Sequence, residues 1–413
     1  MSIARFGAVV RRLMPLVLLL GTASFPLPRA AAAAPESGDD GLRPPEVSAE
    51  SAILIDGDTG MALYEKNADE RMFPASITKI ATAIVALETA NLDDIVTVSK
   101  EARNEDGTRV YLAEGERKTM RDLLYAMMLN SGNDAATAIA EHIDGTKAKF
   151  AERLNDFAVH TVGVTHTHFT NPSGLPDPDH YTTAADMAQI ARYAMRNDMF
   201  RQIVSTRTMP WNGKEWQSTL LNHNKLLGTY EGATGIKNGY TEAAGSTLVA
   251  SARRGGMELI GVVLKSASSD AMYADMTRLL DYGFQHFELR RLFAQGDVYP
   301  VRPGEPVDHY VAAAPIDAVV PIGRSASYTV APDGQVTVST PLGEQPAGRL
   351  QMVLAPPSAA VALAAGGPAG PPGSPVIRTL ITVVWLMMIA FLATIGGLLI
   401  RRRRRQGRWL RGN

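Results

Sequence analysis

Two residues near the start of the chain could form an activated serine nucleophile. Ser76 and Lys79 lie three positions apart, in a stretch whose apolar residues recur at helical spacing, so their side chains share one face. On that face the Lys79 amine could take the proton of the Ser76 hydroxyl, a transfer that a serine nucleophile needs. The same spacing also occurs by chance at ordinary helix starts. The pair alone therefore predicts a helix and allows, without requiring, serine chemistry.

Two later stretches favour the chemical interpretation. Ser131-Gly132-Asn133 follows an amphipathic helix pattern, and Lys237-Asn238-Gly239 opens a predicted strand. The chain thus carries the motifs S-x-x-K, S-x-N and K-x-G in that order, a set that indicates acyl transfer through a serine. Lys79 can act as the base only if its pKa falls, and desolvation together with the second cation of Lys237 acts in that direction.

The elements that must position these motifs can be predicted from periodicity. Strand patterns at 52–56 and 61–65 form a hairpin before the Ser76 helix, and a second hairpin covers 247–264. Thr119-x-x-Asp122 resembles a capping box, and Asn133 or Asp134 is expected to cap the next helix. Tyr181 to Arg192 is expected to be a helix entered through Thr182 or Thr183. Strands at both ends of a mainly helical middle predict a mixed α/β (α+β) fold, with an antiparallel sheet whose terminal helices cover one face.

The chain of 413 residues has room for two soluble domains and contains no cysteine, which excludes disulfides, thiol nucleophiles and thiolate metal sites. Composition shifts divide it into segments along the sequence. We predict a signal peptide (1–34), a leader (35–47), a domain that carries the three motifs (48–290), a small all-β domain (292–354), an Ala/Pro/Gly-rich linker (355–375), a transmembrane helix (380–400) and a basic cytoplasmic tail (401–413).

Both ends of the chain carry membrane-targeting patterns. Arginines precede a short apolar run and then small residues, as in a cleaved signal peptide, although an uncleaved anchor is the alternative. The stretch 380–400 has no charge over 21 residues, which at about 1.5 Å per residue spans a bilayer core of ~30 Å. Arg401 to Arg405 follow directly, which marks the cytoplasmic side rather than a nucleic-acid patch. These patterns predict a single-pass protein of the cell membrane with its catalytic domain outside.

The formal charge of −1 hides an asymmetry between the ends and the body. Four arginines lie within 1–34 and eight from Arg378 onward, and neither segment contains an acidic residue. Without them the 41 basic residues fall to 29, against 42 acidic residues, so the body carries about −13. That charge argues against nucleic-acid binding and favours a soluble body held at a membrane.

With these motifs the chain resembles the serine-type D-alanyl-D-alanine carboxypeptidases, which are low-molecular-mass penicillin-binding proteins of the S11 type. The resemblance runs from about Ser48 to Phe287, and it implies a β-lactamase/transpeptidase-like domain with an antiparallel five-stranded sheet. Asn238 departs from the pattern, because Thr or Ser is usual there. The stretches that carry the resemblance are Pro74 to Lys79, Leu129 to Ala136, Phe169 to Leu175 with Asp186-Met187-Ala188, and Gly235 to Thr241 with Ala244-Gly245.

The resemblance implies the roles of the site residues. Ser76 is the nucleophile, Lys79 its base, and Ser131 relays a proton to the leaving amine. Asn133 holds the substrate amide, and Lys237 and Thr241 hold its terminal carboxylate, with Asn238 and Gly239 beside them. Backbone amides of Ser76 and Tyr240 form the oxyanion hole. The implied partners are the peptidoglycan stem peptide and β-lactams as covalent inhibitors, with no cofactor and no metal.

Several alternatives stay open at this point. A β-lactamase of class A needs a Glu to activate water, and no E-x-x-L-N stretch lies between Asn133 and Lys237. A membrane-anchored penicillin sensor would be acylated without turnover. His166, His168 and His180, with Asp177 and Asp179, have the residue types of a zinc site, although turn chemistry explains the aspartates equally well. A Ser-His-Asp triad is disfavoured because no G-x-S-x-G elbow occurs.

Overall fold

The computed structural model of the protein describes residues 42–300 and 307–354. The chain divides after Pro44 into two units, and the elements below belong to the second unit. The predicted signal peptide, linker, transmembrane helix and tail, and the leader up to residue 41, lie outside the described residues. Within the described ranges, no helix combines the length and apolar character needed to span a bilayer.

The described residues before the all-β region form strands and helices in the following order. The strands are β1 (Ser51–Asp56), β2 (Ala62–Lys66), β3 (Ile95–Thr97), β4 (Arg117–Thr119), β5 (Thr208–Asn212), β6 (Gln217–Leu221), β7 (Ala233–Thr241), β8 (Gly245–Arg254) and β9 (Met257–Ser266). The helices are α1 (Lys79–Thr89), α2 (Lys100–Arg103), α3 (Met120–Leu129), α4 (Asn133–Asp144), α5 (Lys147–Asp156), α6 (Ala184–Ala194), α7 (Asp198–Ser205), α8 (Leu226–Thr229) and α9 (Ser269–His286).

The central feature is a five-stranded antiparallel sheet with the order β2-β1-β9-β8-β7. Every residue of β1 is buried, because helices cover both faces of the sheet. Ile53 and Ile55 belong to the main core with α1, α3, α4 and α6, whereas Leu54 between them packs beside Gly283 of α9. The predicted antiparallel sheet is confirmed, and its edge strand β7 carries the K-x-G motif.

Local capping rules predict some helix starts well and others poorly. The Thr119 hydroxyl caps α3 by accepting the Asp122 N–H, as expected. Thr183, one of the two expected entry residues, caps α6, so this helix begins at Ala184 and not at Tyr181. The expectation for α4 was wrong, because its N-cap is Gly132 and no side chain caps it. The Asp134 carboxylate instead accepts hydrogen bonds from a distant loop, a role that nothing local in the sequence indicates.

A small all-β region follows α9. Its strands are β10 (Phe287–Phe293), β11 (Val298–Pro300), β12 (Val307–Val311), β13 (Ile316–Pro321), β14 (Ser327–Val330), β15 (Gln335–Thr340), β16 (Gly343–Arg349) and β17 (Gln351–Leu354). They pair as β10-β13, β11-β12-β17 and β14-β15-β16 around small apolar clusters. Strand β10 begins directly after α9 and runs across the boundary that composition predicts between 290 and 292.

Candidate active site

Ser76 lies in a tight turn at the start of the first helix. Ala75 to Thr78 form a 3₁₀ turn, and α1 begins only at Lys79. Ala75 has φ +52°, a left-handed conformation that costs about 1 kcal/mol or more for a residue other than glycine. The three-residue spacing nevertheless brings the side chains together as predicted, and Lys79 Nζ lies 2.9 Å from Ser76 Oγ. The local sequence therefore places nucleophile and amine in contact.

The Lys79 amine has two further partners from distant parts of the chain. Lys79 Nζ donates to Asn133 Oδ1 at 2.7 Å and to the Ser173 carbonyl at 2.7 Å. The Asn133 amide is oriented by its own Nδ2 group, which donates to the Asp106 carbonyl at 2.7 Å. Lys79 is 0% exposed, so its amine is enclosed by these groups.

These contacts match a neutral Lys79. Burial, and then the charge of Lys237, lower the pKa of Lys79 well below its ordinary value, while Asp134 and Glu105 oppose the shift. A neutral amine has two N–H groups and one lone pair. The carbonyl oxygens of Asn133 and Ser173 can only accept, so both N–H groups point at them. The lone pair is then left for the Ser76 hydroxyl, which is the arrangement of a general base.

Ser131 and Asn133 lie on either side of the Gly132 cap of α4. Ser131 is 6% exposed and has φ +61°, and its hydroxyl makes no hydrogen bond within the described part of the chain. The Asn133 N–H donates to the Thr108 carbonyl at 2.7 Å. The structure thus joins Asn133 to Lys79 directly, whereas the proton relay through Ser131 stays a prediction.

The loop that delivers the Ser173 carbonyl is organised by Asn171. Its Oδ1 accepts hydrogen bonds from the backbone N–H groups of Ser173, Gly174 and Leu175 at 2.8 to 3.1 Å. Thr82 of α1 donates to the Pro172 carbonyl at 2.7 Å and attaches the loop to the nucleophile helix. The sequence assigned no role to Ser173 because a backbone carbonyl has no side-chain signature. The turn-forming Asn171-Pro172-Ser173-Gly174 run was the available signal.

His180 supports this loop and is not free to bind metal. Its Nδ1 accepts the Thr170 N–H at 3.0 Å, so its Nε2–H donates to Thr78 Oγ1 at 2.8 Å. Burial lowers the pKa of His180 to about 4, which keeps the ring neutral. His168 Nδ1 contacts the Asp179 carbonyl at 2.6 Å. Across residues 42–300 and 307–354, no His, Cys, Asp and Glu side chains cluster as a metal site.

The K-x-G strand lies against the nucleophile turn. A Cβ atom at Gly239 would lie 2.7 Å from Ser76 N and 2.8 Å from Thr247 Oγ1, so only glycine lets β7 approach this closely. Thr247 of β8 donates to the Pro74 carbonyl at 2.9 Å and fixes the turn to the sheet. The motif sits in the middle of β7, which begins at Ala233, and does not open the strand as predicted.

Lys237 is buried, and its charge is conditional. Its Nζ donates to the Asn238 carbonyl at 2.9 Å and lies 3.5 Å from Asn238 Oδ1, at the outer limit of a hydrogen bond. Burial lowers the pKa of Lys237 to about 7. Burial, and to a lesser extent the charge of Lys237, lower the pKa of His223 to about 4.

The residues after Gly239 face outward. Tyr240 is 68% exposed, and Thr241 Oγ1 accepts the Ala244 N–H at 3.1 Å in the turn between β7 and β8. The Thr241 hydroxyl keeps its own hydrogen to donate. Carboxylate binding by Thr241 and the oxyanion role of the Tyr240 amide stay predictions.

The fold and these contacts fit the expectation of a serine acyl-transfer site with Lys79 as the base. The family model for D-alanyl-D-alanine carboxypeptidase, peptidase S11, matches residues 39–268. The chain belongs to this family.

Curated relatives carry the same name. The chain is 35% identical over 262 residues to D-alanyl-D-alanine carboxypeptidase DacF of Bacillus subtilis, covering 62% of this chain and 67% of that protein. It is 33% identical over 267 residues to D-alanyl-D-alanine carboxypeptidase DacD of Escherichia coli K12, covering 62% and 68%.

Solved structures show the same architecture. Penicillin binding protein 5 from Haemophilus influenzae superposes with a TM-score of 0.66 at 29% identity, over 76% of this chain and 98% of that chain. The DD-transpeptidase of Streptomyces K15 superposes with a TM-score of 0.56 at 35% identity, over 59% of this chain and 99% of that one. The similarity to penicillin binding protein 5 thus covers more of this chain than the peptidase domain alone.

Proposed function

We propose that the protein is a serine-type D-alanyl-D-alanine carboxypeptidase that removes the terminal D-alanine from peptidoglycan stem peptides. The observation that carries this proposal is the buried Lys79 amine, 2.9 Å from Ser76 Oγ, with its two N–H groups directed at Asn133 and Ser173. This arrangement leaves the lysine lone pair for the serine proton. Family membership supplies the substrate class.

Acylation begins when Lys79 Nζ takes the Ser76 proton and Ser76 Oγ attacks the carbonyl carbon between the two D-alanines. The negative charge that develops on the carbonyl oxygen is assigned to the backbone N–H groups of Ser76 and Tyr240. The contact between Gly239 and Ser76 N supports this assignment, because it places the strand beside the nucleophile turn. Lys237 and Thr241 hold the substrate's terminal carboxylate, and Asn238 lies next to Lys237 on the same strand.

The C–N bond then breaks, and the D-alanine amine leaves with the proton that Lys79 received. We assign the relay of this proton to Ser131, because its buried hydroxyl has no competing partner among residues 42–300 and 307–354. Water next attacks the acyl carbon and loses a proton to Lys79. The bond to Ser76 Oγ then breaks, Lys79 returns the proton to Ser76 Oγ, and the shortened peptide leaves. β-Lactams enter the same first step and stay bound as the acyl-enzyme.

A β-lactamase and a penicillin sensor are the competing functions. No carboxylate of the described residues is hydrogen-bonded to Ser76 or Lys79. Class A β-lactamases, in contrast, use a Glu to activate the water of deacylation. A sensor would share the acylation machinery and differ only in turnover. Turnover is therefore the quantity to measure.

The test combines two assays on the purified protein. Labelling with a fluorescent penicillin reports acylation of Ser76, and D-alanine release from a stem pentapeptide reports turnover. We expect both signals, with hydrolysis of a free β-lactam far slower than D-alanine release. Labelling without D-alanine release would show that the protein acts as a sensor and not as an enzyme. Fast β-lactam hydrolysis would indicate a β-lactamase.

We also propose a type I membrane topology. Its support is the sequence alone: the signal pattern in 1–34, the uncharged run 380–400 and the arginines that follow it. The catalytic domain would then face the cell wall, where its substrate lies. Protease added to intact cells should remove the catalytic domain and spare the tail, and protection of the catalytic domain would contradict the topology.

A further inference from the structure

An aromatic pair that the proposed mechanism does not use stands in solvent near the S-x-N motif. Tyr111 is 50% exposed, and its ring meets the partly buried Trp216 edge-on, with 6.0 Å between ring centroids. Trp216 lies in the turn between β5 and β6, far along the chain from Tyr111. An edge-to-face arrangement is one of the favourable geometries of an aromatic pair.

Tyr111 is held outward by a buried carboxylate. Asp134 accepts hydrogen bonds from the N–H groups of Val110 and Leu112, the two neighbours of Tyr111, at 3.1 Å. Val110 and Leu112 are buried at 0% and 1% exposure, so only the Tyr111 side chain points out. Its φ of +55° is rare for an aromatic residue, and such conformations persist where the surroundings enforce them.

The same segment is continuous with the catalytic site. The Asp106 and Thr108 carbonyls accept from Asn133 Nδ2 and from the Asn133 N–H, both at 2.7 Å. Asn133 in turn contacts Lys79. The segment 106–112 therefore wraps around the residue assigned to hold the substrate amide, and Tyr111 is one of its exposed side chains.

A cation completes the surface. The Arg109 guanidinium lies 5.4 Å from the centre of the Tyr111 ring, and one of its N–H groups donates to the Arg103 carbonyl at 3.2 Å. Arg109 is fixed by these contacts yet only partly buried. An arginine has five N–H donors, so it can also bind a carboxylate. The surface thus combines a half-exposed tyrosine ring with a positioned positive charge.

We infer that Tyr111, Trp216 and Arg109 bind the part of the substrate that precedes the two D-alanines: a peptide with aliphatic groups and a free carboxylate. This inference rests on the proposed function. The aliphatic groups pack on the Tyr111 and Trp216 rings, and the carboxylate pairs with Arg109. The three residues do not touch the reacting atoms, so they determine which acyl chains are bound well.

The test compares two substrates that share the scissile bond. The long substrate is L-Ala-γ-D-Glu-L-Lys-D-Ala-D-Ala, which carries a free carboxylate upstream, and the short one is diacetyl-L-Lys-D-Ala-D-Ala, which lacks it. Tyr111→Asn removes the ring, and Asn tolerates the left-handed backbone. For the long peptide we expect KM to rise about tenfold with kcat nearly unchanged. This change corresponds to about 1.4 kcal/mol, which is the loss expected for one aromatic contact. For the short peptide we expect changes below about twofold.

Matched variants separate this role from a structural one. Tyr111→Phe keeps the ring and should behave as the natural protein. Tyr328→Asn removes a tyrosine of the all-β region that is 40% exposed. It should leave kcat and KM unchanged for both peptides. Arg109→Gln should weaken binding of the long peptide. It should have no effect on the same peptide with an amidated D-Glu carboxylate. Penicillin labelling should be equal in all these variants.

The outcomes distinguish this inference from the proposed function. Equal losses on both peptides, or no loss on the long one, would overturn the inference. A Tyr111 effect seen only with a disaccharide attached would show that the surface binds sugar instead. Release of D-alanine from neither peptide by the natural protein would defeat the proposed function, and binding of the long peptide to Ser76→Ala, measured by calorimetry, would then test the surface by itself.

Discussion

Gly174 lies so close to Ala75 that a Cβ atom there would approach the Ala75 carbonyl oxygen to 1.8 Å. Gly174 has φ +86°, and Ala75 immediately precedes the nucleophile. This contact holds the loop that offers the Ser173 carbonyl to Lys79 against the turn that carries Ser76. The site therefore depends on a packing contact that has no room for one methyl group.

We expect Gly174→Ala to damage both stability and acylation. Gly163 provides a matched control, because it has the same φ of +86° and no atom within 4 Å of its Cβ position. Gly163→Ala should cost about 1 kcal/mol of unfolding free energy from its backbone conformation. Gly174→Ala should cost about 3 kcal/mol or more, because the loop must move. Urea unfolding and penicillin labelling measure the two effects, and similar behaviour of both variants would contradict the contact.

Ser76→Ala and Lys79→Ala should each abolish acylation. Lys79→Ala also leaves the carbonyls of Asn133 and Ser173 without their donor in a buried place. Because the two residues act as one unit, the double variant should be no slower than Ser76→Ala alone. Labelling kinetics with fluorescent penicillin decide the matter, and near-natural labelling of either single variant would refute the assignment.

The pH dependence should report the buried Lys237. Its pKa of about 7 means that the ammonium loses its proton as the pH rises through that value. For a substrate with a terminal carboxylate, kcat/KM should therefore fall above about pH 7, up to tenfold per pH unit. A substrate whose terminal carboxylate is amidated should lack this fall. A flat profile for both substrates between pH 7 and 9 would show that Lys237 does not hold the carboxylate.

Asn238 is the departure from the family pattern that most needs a test. In the structure Asn238 Oδ1 is turned toward Lys237 Nζ, so the amide N–H donors point elsewhere and remain available to substrate. Asn238→Thr should change the rate of D-alanine release by at most about tenfold, 1.4 kcal/mol, whereas Lys237→Ala should cost considerably more. If the natural protein released no D-alanine and Asn238→Thr restored release, the protein would be a sensor.

His180 should make the protein less stable in acid. Its folded-state pKa of about 4 lies below the usual 6.5, so below pH 6.5 the unfolded chain binds a proton that the folded chain refuses. The contribution of His180 to stability is complete above about pH 6.5 and is lost as the pH falls toward 4. His180→Asn should unfold more easily than the natural protein at pH 7, and this difference should shrink at pH 5. His160→Asn, at an exposed site, is the control, and an unchanged difference for His180→Asn would contradict the neutral buried ring.

Local rules in the sequence determined the contact between Ser76 and Lys79, the order of the motifs and much of the scaffold. Helical spacing alone brings Lys79 to Ser76, because residues three apart on a turn of helix are neighbours. The Thr119 cap and the sheet hairpins were equally predictable, since caps and hairpins depend on residues close together in the chain. Turn residues likewise marked the loop containing Asn171, although not its purpose.

Tertiary structure alone decided how these parts become a site. The Ser173 carbonyl reaches Lys79, and Asp134 binds the backbone beside Tyr111, only through contacts between distant chain positions. No local pattern encodes such contacts. The lowered pKa of Lys79 and of Lys237 arises from burial, a property of the assembled core and not of either residue. A motif names the groups that can react, but their protonation and alignment depend on which distant atoms exclude water around them.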